Sequence, residues 1–322
     1  AGVMMARAGF GVWALAWQQL FYYLTLVLVL FFTIPWRPKR IFALERVRSM
    51  FQFGWKLLCA SLIDTLFMNL YGLVVGKIYD DNTLGVYSRG EQFPKLIVTN
   101  LGTAIQSVML PALSAHQTYP EQVRRLLQRA IKISVFLVFP MMAGLAASAD
   151  NLVLVLLGPK WNSCVPFLQI SCLAYAVWPM DIANLQALNA MGRSDVFLKL
   201  EILKKMVGVL ILLLSLRCGS LTFIAWKACG DFICTFINAW PNQRLLSYSI
   251  GKLWKDILPA LLASAAMGIS VYIAGNFLPA GILGLAGQVV LGILLYLGIS
   301  WGGKLESFSY LMGILQEKIK KS

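Results

Sequence analysis

Charge is scarce in this sequence. Only 13% of its 322 residues are Asp, Glu, Lys or Arg, against 59% that are hydrophobic. A soluble domain carries roughly 25% charged and 45–50% apolar residues, so this chain lacks the polar surface to face water on every side. That shortage argues against a secreted disulfide scaffold, a disordered tail and a nucleic-acid-binding domain. Histidine is nearly missing: the single His116 leaves nothing from which to build a His-based metal site or a Ser-His relay. No GxxxxGK[ST] run occurs, so the chain does not itself draw on ATP through a phosphate-cradling loop. No polar segment is long enough to house a soluble catalytic domain. The six cysteines (Cys59, Cys164, Cys172, Cys218, Cys229, Cys234) show no paired metal-ligand spacing, and four lie inside apolar runs, where Cys acts as a small hydrophobe. Cys164 and Cys218 fall near the ends of such runs on one side, the one pair left open to a disulfide. A secretory signal is missing too: no basic stretch leads into a short apolar core with a cleavage site. Residue 1 is Ala, and AGVMMARAGFG reads as an apolar helix end entering a Gly-rich turn. The sequence is therefore expected to be the C-terminal part of a longer protein.

What the sequence has in abundance is apolar length. Mean hydropathy is +0.72. A helix crossing the bilayer core needs about 20 mostly apolar residues. Nine segments meet that need, at 11–35, 52–78, 91–113, 127–149, 164–190, 197–217, 220–241, 257–278 and 281–302. The fold class is therefore all-α, a polytopic membrane helix bundle of about nine spans. Charge placement tests this layout. The net charge is +14, from 28 Lys and Arg against 14 Asp and Glu. Twenty of those 28 basic residues lie in the segments 36–50, 114–132, 191–205, 243–256 and 303–322. The alternate loops hold only Arg7, Lys77, Arg89, Lys95, Lys160 and Arg217. Cytoplasmic loops collect Lys and Arg, which predicts that the first set and the C-terminus are cytoplasmic. Two segments, 38–50 and 305–319, mix apolar and basic residues at helical spacing and are expected to lie along the membrane surface.

Ionisable groups at membrane depth cost at least a few kcal/mol, so they mark wet cavities or paired partners. The second expected span carries Lys56, Asp64 and Asn69, with Lys56 and Asp64 two turns apart on one face. Lys56 can snorkel to the interface; Asp64 lies deeper and is expected to face a cavity, with a structural ion pair as the plainer reading. The stretch YSRGEQFPKL (87–96) gathers Arg89, Glu91, Gln92 and Lys95, and Pro94 is a candidate to break or kink its helix. Arginine suits phosphate through its two parallel donors, although a solvated charge cluster explains the same residues equally well. The fifth span places Asp181 and Asn184 on one stripe after Trp178-Pro179. In the seventh, Lys227 and Asp231 stand at i, i+4, which reads first as an internal ion pair. Together these groups imply a hydrated, mainly cationic interior suited to an anionic headgroup.

Several stretches carry a resemblance: GFGVWALAWQQL (9–20), FGWKLLCASLIDTLFMNLYGLVVGK (53–77), YSRGEQFPKL (87–96), LPALSAHQ (110–117), FLVFPMMAGLAA (136–147), LLGPKW (156–161) and GRSDVFLKLEILKK (192–205). In this order they resemble the polysaccharide-transport family, the Wzx-type oligosaccharide repeat-unit flippases of the multidrug/oligosaccharidyl-lipid/polysaccharide exporter superfamily. The likeness is densest from 9 to 205 and rests on hydropathy alone beyond 250. It implies two six-helix lobes around a central cavity. Residues 1–35 would end the first lobe, 36–50 would form a cytoplasmic linker and 51–249 the complete second lobe. Residues 250–302 would add two spans and 303–322 an amphipathic tail. An isolated second lobe would not alternate between inward- and outward-facing states.

The implied activity is translocation of lipid-linked oligosaccharide, on an undecaprenyl-type pyrophosphate, across the bacterial cytoplasmic membrane for surface polysaccharide or lipopolysaccharide assembly. No catalysis, cofactor or metal is implied. The expected partners are the lipid-linked oligosaccharide, membrane lipids, and a polysaccharide polymerase with its chain-length machinery. From side-chain chemistry, Arg89, Lys56, Lys77, Asn69 and Glu91 are candidate substrate contacts, and Asp64 and Asp181 candidate ion-coupling groups. A multidrug/cation antiporter of the same superfamily would need a more acidic interior. A membrane glycosyltransferase would need a large outer loop, and the outer loops here are short.

Overall fold

A computed structural model describes residues 2–34 except 8 and 12, residues 65–321 except 68 and 118, and the single positions 48 and 62. The chain divides into two units, 1–64 and 65–322. In the first, α1 (Gly2–Arg7) and α2 (Trp13–Thr33) are joined by a turn in which Gly9 and Gly11 take positive φ. Apart from Ala14, the described side chains of α2 are exposed, as suits a helix whose surroundings are apolar. The expected linker 36–50 lies almost wholly outside the described residues.

The second unit begins with α3, helical over 69–78. It continues with α4 (Asp81–Ser114), α5 (Pro120–Ala147), α6 (Ala149–Leu156), a 3-10 turn (Pro159–Cys164), α7 (Val165–Ala176) and α8 (Trp178–Ala190). It ends with α9 (Ser194–Ser215), α10 (Ser220–Leu245), α11 (Ile250–Gly275), α12 (Ile282–Gly302) and α13 (Glu306–Lys321). All regular structure among the described residues is helical. Seven helical segments are long and apolar enough to cross a membrane, so this is a multi-pass membrane protein. Of the other two expected spans, 52–78 falls largely outside the described residues. The one at 197–217 is α9, whose 22 residues can reach about 33 Å but which carries Lys199, Glu201, Lys204 and Lys205 toward its N-terminal side.

Local chemistry sets the helix ends. The Asp80 carboxylate accepts from the Thr83 backbone N–H at 2.9 Å and caps α4. Bonds from the Thr83 hydroxyl and backbone hold that carboxyl below its usual range. α4 then runs 34 residues through buried Pro94 and exposed Pro111, so Pro94 does not end it. The break comes elsewhere: the expected fifth span divides at Val177 into α7 and α8. Pro179 lacks an N–H and its ring conflicts with a continuing turn, while the first turn of a new helix accepts it readily.

With little hydrophobic drive between helices in lipid, close packing through small residues holds such bundles together. Gly90 shows this on α4, where an added Cβ would lie 2.9 Å from the Leu168 backbone nitrogen and 2.9 Å from the Phe167 Cβ. α4 thus approaches α7 at contact distance. One buried cluster joins Met109, Leu127, Ile131, Met180 and Ile257; another joins Val98, Phe167, Leu168 and Phe223. Cys164 and Cys218 are free, so the disulfide left open for them is not made. The tail helix α13 does more than lie on a surface. Leu305 ahead of it and its Phe308 and Leu311 pack against the Phe136–Met267–Tyr296 cluster, and the Arg129 guanidinium stands 4.7 Å from the Tyr310 ring centroid.

Candidate functional site

α10 carries Lys227, Asp231, Thr235, Asn238 and Asn242 at spacings of four, four, three and four. Such spacing makes one polar stripe about 22 Å long on a helix. It faces α4, α7 and α8 and contains two arrangements of different chemistry.

At the Lys227 end the charges are paired. The ammonium donates to Glu91 Oε1 on α4 at 2.7 Å and to the Tyr87 hydroxyl at 3.1 Å. The Tyr175 hydroxyl of α7 donates to the same Glu91 oxygen at 2.8 Å. The cation lies 5.7 Å from the ring centroids of Tyr71 and Tyr87 and 6.0 Å from that of Tyr175, within range of the attraction between a cation and aromatic faces. The Tyr71 hydroxyl donates to the Gly208 carbonyl of α9 at 3.0 Å. Four helices are thereby tied to one ammonium. Asp231, one turn along, is close enough to interact electrostatically with Lys227 and Glu91.

The other end has amides where the first has a cation. Asp181 on α8 is 8% exposed and accepts from Asn238 Nδ2 at 3.2 Å. A further turn along, Asn242 Nδ2 donates to Asn184 Oδ1 at 2.8 Å and to the Asn184 carbonyl at 3.3 Å. Asn184, Asn238 and Asn242 are essentially sealed from the exterior. Among the described residues no ion pair reaches Asp181; Lys204, which acts on it only electrostatically, is held by Glu201 at 2.5 Å. Asn238 Oδ1, Asn242 Oδ1 and Asn184 Nδ2 are buried without a protein partner. Buried polar atoms nearly always have one, so this layer has bonding capacity to spare.

The residues singled out from sequence are distributed unevenly around these arrangements. Glu91 and Asp181 stand in the two of them. Arg89 is exposed, donates to Gln92 Oε1 at 2.9 Å and lies 5.7 Å from the Trp161 ring centroid. Lys77 is exposed at the end of α3. Asn69 is exposed and donates to the Thr65 carbonyl within its own helix at 2.8 Å. Lys56 and Asp64 lie outside the described residues. The i, i+4 pair of Lys227 with Asp231 gives way to Lys227 with Glu91, 136 positions apart in sequence. The tyrosines were missed, because Tyr reads as apolar in a span; Tyr87 stands four residues before Glu91, and that spacing was the available signal.

Comparisons with known proteins agree on the kind of protein. A family model described as polysaccharide biosynthesis protein matches residues 1–166. The chain is 24% identical over 238 residues to the teichuronic acid biosynthesis protein TuaB of Bacillus subtilis strain 168, covering 74% of this chain and 49% of TuaB. It is 26% identical over 248 residues to the lipopolysaccharide biosynthesis protein WzxC of Escherichia coli K12, covering 73% and 49%. The succinoglycan biosynthesis transport protein ExoT of Rhizobium meliloti strain 1021 matches at 23% over 194 residues, covering 60% and 39%. The chain spans about half the length of TuaB and WzxC. Among solved structures, the lipid II flippase MurJ in an inward closed conformation matches with a TM-score of 0.67 at 14% identity, over 81% of this chain and 56% of that one. That likeness shows the fold.

Proposed function

The chain belongs to the polysaccharide biosynthesis protein family, and from that premise we propose that it works in a transporter that moves lipid-linked oligosaccharide repeat units across the bacterial cytoplasmic membrane. Residues 51–249 supply one six-helix lobe of that transporter, and the C-terminus faces the cytoplasm, where the excess of Lys and Arg belongs. The observation that carries this reading is the polar stripe of α10, part-buried at Lys227 and Asp231 and buried at Thr235, Asn238 and Asn242, within a bundle of membrane-crossing helices. A sugar and its pyrophosphate need a wet passage while the lipid tail stays in the bilayer. Polar residues kept at depth are what such a passage requires.

The candidate residues divide the work. Arg89 and Lys77, exposed, attract the pyrophosphate, which Arg can grip through two parallel donors; Asn69 extends the same path, and Lys56 is assigned to the same task from its side-chain chemistry alone. Glu91 acts through Lys227, bracing the lobe. Asp181 and Asp64 are the ion-coupling groups. At Asp181, the carboxylate and the unpartnered Asn238 Oδ1 offer oxygen donors to a proton or a small monovalent cation. Charging a carboxylate at this depth is costly unless such a cation accompanies it. The driving energy is an ion gradient or consumption of the product outside, where a polymerase and its chain-length machinery would receive it.

The test uses the full-length protein in a bacterium whose own repeat-unit transporter has been deleted. Restored surface polysaccharide, with lipid-linked oligosaccharide moved to the outer leaflet, is the expected result. Continued accumulation in the inner leaflet despite normal expression contradicts the proposal. Efflux of small cationic drugs without glycolipid movement would establish an antiporter in its place.

A further inference from the structure

Away from the α10 stripe, a polar cavity of about 310 Å³ opens between α5, α11 and the junction of α12 with α13. Lys132, Lys255, Asp256, Lys304 and Glu306 line it. Its two carboxylates are already committed: Lys132 Nζ lies 3.1 Å from Asp256 and 2.7 Å from Glu306. Lys255 and Lys304 therefore share the cavity with no carboxylate paired to either among the described residues. The backbone fixes where Lys304 stands. Its φ of 46° closes the turn between α12 and α13, with the Lys304 N–H bonded to Trp301 O and the Leu305 N–H to Ser300 O, both at 3.1 Å.

Phe136 borders this cavity and also an apolar groove of about 580 Å³ between α5, α11 and α12. Met141, Val289, Ile293 and Leu297 line the groove and are exposed, as a lipid-facing surface would be. On α12 the groove runs from Leu297 to Leu285. Those twelve residues rise about 18 Å and lie over the middle of α12. A cationic cavity at the helix ends thus borders, at Phe136, an apolar trough along the middle of α12.

We propose that this combined surface binds one anionic phospholipid, its phosphate between Lys255 and Lys304 and a fatty chain in the groove beside Phe136. Two unpaired ammonium groups supply charge complementarity for the phosphate. The trough offers a fatty chain an apolar bed about 18 Å long. The site does not depend on the transport reading above, because lipid binding can be measured without translocation.

The experiment titrates phosphatidylglycerol, phosphatidylcholine and inorganic phosphate separately into the full-length protein purified in detergent, with bound lipid counted by native mass spectrometry. The variants are K255A/K304A, K255R/K304R and the control R125A/R244A, which removes equal charge from exposed positions outside the cavity. Phosphatidylglycerol is expected to bind in preference to phosphatidylcholine. K255A/K304A should weaken it on the order of thirtyfold, from two basic contacts at a membrane surface, while K255R/K304R and the control keep most of the binding. Equal weakening by R125A/R244A would show diffuse surface attraction and overturn the site. Displacement of the lipid by inorganic phosphate would make a soluble anion the occupant and overturn it as well. The Lys132 bridges stay intact in every variant, and an unchanged melting temperature separates lost binding from lost folding.

Discussion

The two ends of the α10 stripe bury carboxylates in opposite ways. Glu91 has an ammonium, a tyrosine hydroxyl and a ring of aromatic faces around its partner. Asp181 has an asparagine and, beyond it, a second amide pair. The first arrangement is paired: Lys227 bridges to Glu91, and their hydrogen bonds join α4, α7 and α10, so it braces the bundle. The second is open. Among the described residues its carboxylate lacks a paired cation and its amides keep unfilled bonding positions. A compensated pair resists change and an uncompensated carboxylate answers to protons and ions, so one helix face carries a brace and a responsive element about two to three turns apart.

The strongest way to break this contrast is Lys227→Ala, which makes Glu91 as uncompensated as Asp181. Removing one member of a buried ion pair typically costs about 3–5 kcal/mol; Lys227 and Glu91 are part-buried, at 21% and 15% exposure, so the expected loss lies at the low end of that range, and the melting temperature in detergent should fall. Replacing both partners, as Glu91→Gln with Lys227→Met, should recover much of it. Tyr175→Phe removes a bond to an ionised acceptor and is expected to cost about 1.5–3 kcal/mol, again read from melting. Gly90→Ala drives a methyl into the Leu168 backbone; overpacking of this kind costs about 1–3 kcal/mol and should loosen α4 from α7, seen as faster hydrogen exchange in both.

The smallest effect lies outside the stripe, at Glu306. Its hydrogen bond and charge attraction to Lys132 hold the carboxyl below its usual range. A lowered folded-state value means the contact contributes fully above the ordinary glutamate value of about 4.3. It fades as pH falls through the lower folded one. Glu306 is largely exposed, so the contribution is under about 1 kcal/mol. Protease sensitivity of α13 should rise slightly on acidification toward pH ~3 and be insensitive to it in Glu306→Gln.

Much of the fold was legible because membrane helices announce themselves by length and apolarity, and α5, α10, α11 and α12 lie close to where hydropathy put them. The break in the bundle was not. Pro94 and Pro179 obey the same local rule, yet α4 absorbs the first and the chain divides at the second; tertiary packing decides between them. The candidate site was half legible. Asp181, Asn184 and Lys227 stood out as polar residues at depth. Their pairing did not, because Lys227 meets Glu91 and Asp181 meets Asn238 across 136 and 57 positions of sequence. Local spacing offered only Asp231.

The most direct test of the account is translocation by Asp181→Asn in the full-length protein, followed against an imposed proton or sodium gradient at matched, folded abundance. The account predicts a stable protein whose transport drops on the order of tenfold or more and no longer follows the gradient. Wild-type rates with unchanged gradient dependence would contradict it.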